Sequence, residues 1–220
     1  MHECACHCLI LQFTFDYHFK VLHSKISKSL YSLNHIKNIL PVKSLKTLYF
    51  ALIHPHFLYC LPIISCTSKK NINLLAKSQK WAIRIINKSK YNAHTQPLFA
   101  SSNILPISDF ITQQNLHLIH AFVYNYLPSS FNNFLQVNRA THNHEYVLRN
   151  DDDFFVPQTK NDYLKRFPFY TFPLAWNNLS LNLKLTQNKK IFRLNLKSYL
   201  MLPYKSFSCD RLFCYVCSNP

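Results

Sequence analysis

Not one glycine occurs in the 220 residues of this chain, although average usage near 7% would supply about fifteen. Every backbone position that needs a positive φ, or a close approach by another group, must therefore be filled by a residue carrying a Cβ atom. That removes whole classes of site. A phosphate-cradling GxxxxGK[ST] loop, a GxGxxG dinucleotide turn, a GxSxG nucleophile elbow and an EF-hand loop all require glycine at a fixed place. Tight primed hairpin turns usually want Gly or Asn at positive φ, so a hairpin-rich β fold is disfavoured, whereas helices lose nothing. A mainly α fold is the expectation.

Coding DNA rich in adenine and thymine would by itself yield many Lys, Asn, Ile, Phe, Tyr and Leu residues, a ratio of 19 Lys to 6 Arg, and little glycine. It accounts less easily for the acids. Asp and Glu total nine against 25 Lys and Arg, a formal charge of +16 with His neutral, and Glu is represented only by Glu3 and Glu145. No acidic residue lies between Asp16 and Asp109, a stretch that holds Lys20, Lys25, Lys28, Lys37, Lys43, Lys46, Lys69, Lys70, Lys77, Lys80, Arg84, Lys88 and Lys90. A field of that sign favours polyanions or anionic membrane surfaces. With 48% apolar and 15% aromatic residues the chain is too rich for intrinsic disorder. Its length suits one domain or two small ones, burying roughly 70% of the unfolded surface. The longest unbroken apolar run, about Phe57 to Ile64, is too short to span a bilayer.

Helical periodicity organises the basic half. Between Lys20 and Asn38, Leu22, Ile26, Leu30, Leu33 and Ile36 recur at steps of four, four, three and three, which is one apolar stripe. After the break at Leu40-Pro41, a second helix is predicted over about Val42 to Ile53, with Leu45, Leu48, Tyr49 and Leu52 inward and His54-Pro55 as its stop. The two suggest an antiparallel helical hairpin. A third helix, about Lys70 to Lys88, gathers Ile72, Leu75, Ala82, Ile83 and Ile86 on one side. Lys77, Lys80, Arg84 and Lys88 fall opposite, within an arc of about 80° at 100° per residue. An ordinary solvated face would mix in Glu or Asp as i, i+4 partners. Here no acid is near in sequence, and four cations on one rigid rod suit a phosphate backbone, whose condensed counterions they would displace.

Farther on, a fourth helix is predicted from Asp109 to Tyr126, with Ser108 as N-cap, Leu116, Ile119, Val123 and Tyr126 on one side, and Leu127-Pro128 as its end. Residues 129 to 185, with Pro157, Pro168 and Pro173 and few periodic runs, read as a loop-rich, aromatic-rich connector. A last helix is predicted from Gln187 to Met201, with Phe192, Leu196 and Tyr199 inside and Lys189, Lys190, Arg193 and Lys197 outside, before a tail after Pro203.

From about Leu11 to Tyr204 an ordered series of blocks resembles the region behind the palm in reverse transcriptases of non-LTR retrotransposons of the jockey and LINE-like kind. The series runs through Phe13-Thr14-Phe15-Asp16-Tyr17-His18-Phe19, Lys25-Ile26-Ser27, Leu40-Pro41-Val42-Lys43, Leu48-Tyr49 and His54-Pro55-His56-Phe57-Leu58-Tyr59-Cys60. Gln79-Lys80-Trp81-Ala82-Ile83-Arg84-Ile85-Ile86 and Ala93-His94-Thr95-Gln96-Pro97-Leu98-Phe99 follow. Leu127-Pro128, Tyr146-Val147-Leu148-Arg149, Trp176-Asn177-Asn178-Leu179 and Lys197-Ser198-Tyr199-Leu200 complete it. No single block is specific; order and spacing carry the likeness. It implies a helical thumb-like bundle, an irregular aromatic-rich connector and a C-terminal helix, the part of such a polymerase that holds template and primer by their backbones. The palm, with its aromatic-x-Asp-Asp hairpin and two metal ions, would lie upstream, and the endonuclease of such elements has no counterpart here. The resemblance thus implies a truncated copy of an RNA-directed DNA polymerase, without catalytic residues or cofactor of its own.

In chain order this gives a non-family extension over residues 1–10, a helical thumb-like domain over 11–128, a connector over 129–185, a helix over 186–204 and a Cys-containing tail over 205–220. Asp151-Asp152-Asp153 lacks the preceding aromatic and apolar strand and follows the thumb blocks, so it reads as an exposed acidic loop or helix-start cluster. Cys209, Cys214 and Cys217 form half of a zinc-like pattern, one ligand short unless Cys4, Cys6, His7 or Cys8 supplies the fourth; free thiols are the alternative. Cys60 and Cys66 read as buried packing residues, and His54/His56 and His142/His144 as ordinary histidines. The absence of a signal peptide suggests an intracellular protein of nucleus or cytoplasm with reduced thiols.

Two functional readings follow. In the first, the chain binds DNA or an RNA–DNA hybrid through Lys77, Lys80, Arg84 and Lys88 with neighbours such as Lys25 and Lys28, reading shape rather than sequence, alone or beside a palm in trans. In the second, the reading frame is a relic whose apolar faces, meant for a missing palm, leave it without an autonomous fold. Association of the basic helices with an anionic membrane surface is a third possibility.

Overall fold

Apolar residues spaced three and four apart draw out the first helix, α1 (Asp16–Ile36), in a computed structural model that describes residues 16–59, 66–131, 134–138 and 153–205. Phe19, Leu22, Ile26, Leu30 and Leu33 of its stripe are buried, while Ile36, at the fraying end, is only half-buried. α2 (Val42–Leu52) starts behind Pro41, whose extended backbone places it just outside the helix. Leu45 and Tyr49 are buried and Leu48 half-buried as expected, but Leu52 is exposed. The helix ends at Leu52, the chain bends at Ile53, and the Ile53 side chain takes the interior place. The stop thus falls directly before His54-Pro55, as expected, and Pro55 also stands in the first turn of the next helix, α3 (His54–Leu58), where a residue has no N–H to pair in any case.

α4 (Lys69–Ile86) begins at Ser68, whose hydroxyl accepts from Asn71 N, and is followed by α5 (Thr95–Ser102) and α6 (Ile107–Val123). By compactness the chain divides into two units: residues up to Phe110 with those from Leu200 onward, and Ile111–Tyr199. Within the first unit α1 packs chiefly on α4, which also meets α2 and α5, and α2 meets α1 and α3. Its interior is aliphatic and aromatic, with Phe19, Ile26, Leu45, Tyr49, Phe57, Leu75 and Ile83 almost wholly removed from water. Each such side chain contributes about 1.5–3 kcal/mol.

One polar residue sits at the centre of that interior. Gln79, 2% exposed, donates from Nε2 to the Tyr49 hydroxyl at 3.2 Å and to the Leu105 carbonyl at 2.9 Å, and accepts at Oε1 from Ile107 N at 2.7 Å. The last bond satisfies an orphan N–H at the start of α6. Consequently α6 starts two residues before Asp109, and Ser108, expected as its N-cap, lies inside the first turn with its hydroxyl on Asp109. Burial pushes the Tyr49 hydroxyl up to about 12.

Helix ends show how a chain without glycine stops. Lys88, Asn103 and Asn125 hold positive φ values of 52°, 52° and 54°. Each closes a Schellman pair: Lys88 N to Ile85 O with Ser89 N to Arg84 O, Asn103 N to Ala100 O with Ile104 N to Phe99 O, and Asn125 N to Phe122 O with Tyr126 N to Ala121 O. Asn tolerates the left-handed region, whereas Lys pays the Cβ penalty. Lys88→Gly should therefore raise the stability of the first unit by about 1 kcal/mol, read as a higher urea midpoint; no gain would mean that the turn is held at no cost. The same turn ends α4 at Ile86, so Lys88 lies beyond the helix on which its spacing places it. α6 likewise ends at Val123, leaving Val123 half-buried and Tyr126 outside the helix and exposed, while Leu116 and Ile119 are buried as expected.

The second unit corrects the connector reading in part. Segments around Val137 and Phe154 pair in one antiparallel bridge, with Asn138 N on Asp153 O at 2.9 Å and Phe155 N on Gln136 O at 2.8 Å. Two helices that the sequence pattern does not announce follow: α7 (Pro168–Asn177) and α8 (Leu181–Lys184). Pro168 occupies the first turn of α7 and Pro173 its interior, although both read as breakers. Asn177 clamps the bridge, its amide accepting from Phe154 N at 3.0 Å and donating to Phe154 O at 2.8 Å. Asp153 is half-buried at the bridge and pairs with Lys184 at 3.4 Å, so it is no exposed loop residue. Asp151 and Asp152 lie outside the described residues.

Asn188 caps α9 (Lys189–Lys205), its side chain accepting from Lys190 N at 2.9 Å. Phe192 and Leu196 are buried and Lys189, Lys190 and Arg193 exposed as expected, but Tyr199 is exposed, and Met201, beyond the expected stripe, is buried. The architecture is mainly α.

Candidate nucleic-acid interface

α4 carries the cations because its other side is occupied. Leu75, Ser78, Gln79, Ala82, Ile83, Ile85 and Ile86 are buried, spanning roughly 160° of the helix at 100° per residue. Lys77, Lys80 and Arg84 fall in an arc of roughly 60° centred opposite. Lys77 and Lys80 are exposed; Arg84 is half-buried. Among the described residues no carboxylate is found at ion-pair distance of any of them, whereas Lys165–Asp162 and Lys184–Asp153 pair in the second unit.

Arg84 is not a free cation, however. Its Nε donates to the Ala93 carbonyl at 3.0 Å, and its guanidinium lies 5.9 Å from the centroid of the Tyr91 ring. It pins residues 88–93 against the end of α4. Lys88, expected as the fourth member of a straight ridge, belongs to this turn instead, and it is exposed there beside exposed Lys90. The structure therefore brings together Lys77, Lys80 and Arg84 on one helix and Lys88 and Lys90 on the adjoining turn.

Lys25 and Lys28 are exposed on α1, on the side away from its buried stripe. Their carbonyls accept from the Ser29 and Ser32 hydroxyls. A cleft of about 420 Å³ borders the ridge, sharing Lys80 with it and lined also by His94, Gln96, Phe99, Ser108 and Tyr204. Tyr204 donates to Asp109 Oδ2, and burial, with the Asp109 carboxylate next in effect, holds its hydroxyl well above the usual phenol range.

Two aromatic side chains at the ridge were not among the residues read as a site. Tyr91 is 85% exposed and Trp81 37% exposed. Trp81 precedes Arg84 by three residues, one helical turn away. Their interleaving with cations is visible in the stretch from Lys77 to Tyr91, but the bend that sets Tyr91 over Arg84 depends on the left-handed Lys88.

Of the cysteines, Cys66 is buried, as expected of a packing residue. Cys4, Cys6, Cys8, Cys60, Cys209, Cys214 and Cys217, with His7 and the His142/His144 pair, lie outside the described residues. Among the described residues no group of three or more His, Cys, Asp or Glu side chains converges as a metal site, and no helix is long and apolar enough to cross a membrane. Comparison with family models, with curated proteins and with solved structures returned no match.

Proposed function

We propose that this chain is a non-catalytic nucleic-acid-binding segment derived from a non-LTR retrotransposon RNA-directed DNA polymerase, holding template and primer by their phosphates. The observation that carries the proposal is the carboxylate-free set of Lys77, Lys80 and Arg84 facing away from the buried side of α4. The ordered blocks named above support the origin. Polyanion binding of this kind reads geometry, since phosphate contacts carry no base information.

Binding of the full chain to a labelled RNA–DNA hybrid should weaken steeply with salt. Engagement of about four or five phosphates gives a log–log slope near −4. Lys77→Gln/Lys80→Gln should flatten that slope by about two; an unchanged slope rejects the ridge. These lysines test it more cleanly than Arg84, whose removal would also free the turn that it holds.

Apolar exposure favours a second reading, in which the chain lacks an autonomous fold without a palm to cover it. Ile39 is 80% exposed, Leu185 75%, Leu181 72% and Leu194 68%. A urea melt separates the two: a cooperative transition supports an autonomous module, a non-cooperative dye-binding species the relic.

A further inference from the structure

We infer that the turn pinned by Arg84 is a base-stacking platform for single-stranded nucleic acid, with Tyr91 as its principal ring and Trp81, one turn before Arg84 on α4, as a second. This rests on the phosphate-binding reading above and adds a class of ligand to it. Large aromatic side chains normally gain by burial, yet Tyr91 stands 85% in water. It is nevertheless held in place. The Arg84 guanidinium lies under its ring, Arg84 Nε anchors the Ala93 carbonyl, Ala93 N closes a turn onto Lys90 O at 3.1 Å, and Ser89 N is tied to Arg84 O at 3.0 Å. A ring exposed on a pinned backbone loses little entropy when a base stacks on it. Exposed Lys88 and Lys90 on the same turn, with exposed Lys77 and Lys80 on the helix that leads into it, supply cations for the flanking phosphates.

Cations that track a backbone, beside aromatic faces that take bases, are the arrangement by which single strands are bound without sequence preference. A duplex keeps its bases stacked inside and offers such a ring nothing. Tyrosine, tryptophan and lysine also occur at membrane surfaces, but there they border an aliphatic face. Among the described residues of α4, Trp81 is the sole large apolar side chain that is exposed.

The test compares three labelled probes against the full chain by fluorescence anisotropy: an oligothymidylate of about 15 nucleotides, the same length of abasic strand, and a duplex, the length being set by ordinary single-strand site sizes. The oligothymidylate should bind roughly tenfold tighter than the abasic strand, the scale of one or two stacked bases. Tyr91→Ala should erase that difference while leaving the abasic affinity and the salt slope intact, and Tyr91→Phe should keep it. An exposed side chain makes either substitution harmless to the fold. Equal binding of oligothymidylate and abasic strand, or a Tyr91→Ala protein that still distinguishes them, overturns the platform and leaves the phosphate reading standing. Failure to bind any of the three overturns both, and so does tighter binding to phosphatidylserine-containing vesicles than to the oligothymidylate in a parallel co-sedimentation assay.

Discussion

Gln79→Leu should lower the stability of the first unit by about 3–5 kcal/mol, although it replaces a polar side chain in the core with an apolar one of similar size. The leucine leaves three groups behind. The Tyr49 hydroxyl, the Leu105 carbonyl and the Ile107 N–H all bond to Gln79 in a place closed to water. Each buried group left unsatisfied costs about 1–3 kcal/mol, and the extra apolar burial recovers only part. Tyr49→Phe should cost much less, about 1 kcal/mol, because Gln79 Nε2 keeps its bond to Leu105. In the double variant the two effects should fall short of their sum, since Tyr49→Phe takes away the hydroxyl that Gln79→Leu would leave orphaned. In a Trp176→Phe background, Trp81 fluorescence reports the first unit alone. At about 1–3 kcal/mol per molar urea, the Gln79→Leu midpoint should drop by about 1 M or more. Coincident midpoints would make Gln79 a spectator.

Gln79 is legible in principle. It stands four residues after Leu75 and four before Ile83, both buried, so a polar residue occupies the middle of an apolar stripe. Its partners are not legible, because Tyr49, Leu105 and Ile107 are brought to it by tertiary packing. The same division runs through the fold. Strong 3.6-residue periodicity reveals α1 and α4 and most of their buried positions, since burying one face of a helix leaves a pattern in its own sequence. Ends are harder, because the usual stop is a glycine and here Lys88, Asn103 and Asn125 take that role. Lys88 in particular prolongs the spacing of Lys77, Lys80 and Arg84, so the pattern runs two residues past the real end of α4. Pro168 and Pro173 hide α7 for a related reason: Pro168 stands in the first turn, where no N–H is needed, whereas Pro173 lies in the interior and the helix runs through it despite the lost bond to the Phe169 carbonyl.

The basic ridge shows the limit from another side. Spacing correctly puts Lys77, Lys80 and Arg84 opposite the core, because angular position on a helix is fixed by sequence separation alone. Spacing says nothing about occupation. Arg84 serves the adjoining turn, and only coordinates reveal that one of the cations also holds an aromatic ring in water. Carboxylate depletion, by contrast, is a composition fact that carries directly into the electrostatics of the first unit.

Acid should loosen the second unit as the pH falls from about 6.5 towards 4. His117 and His120, one turn apart on α6, lie against Phe192, with the His120 ring stacked 4.1 Å from it. His120 Nε2 meets the Thr186 carbonyl at 2.7 Å, and neither ring nitrogen of His117 has a hydrogen-bond partner among the described residues. Burial, then Arg193, His120 and Lys189, hold His117 down to about 4; burial and Lys189 lower His120 too, against the pull of the Thr186 carbonyl. In the unfolded chain both would accept a proton near pH 6.5, the ordinary histidine value. Between about 6.5 and 4 the unfolded state therefore binds more protons than the folded one, so stability is full above the window and falls as the pH drops through it. The expected loss is about 2 kcal/mol for the pair, kept below the full shift because His117 is only half-buried. In a Trp81→Phe background, the fluorescence of buried Trp176 should show a urea midpoint that falls over this range. His117→Leu should flatten most of the fall and leave the midpoint at neutral pH unchanged or higher, since it removes two unpartnered nitrogens. Arg193→Gln should shrink the loss by letting His117 take its proton at higher pH in the folded state. A midpoint that stays level across this window in the parent chain, or a His117→Leu protein that falls as steeply, would show that these rings do not hold their neutral form for the fold.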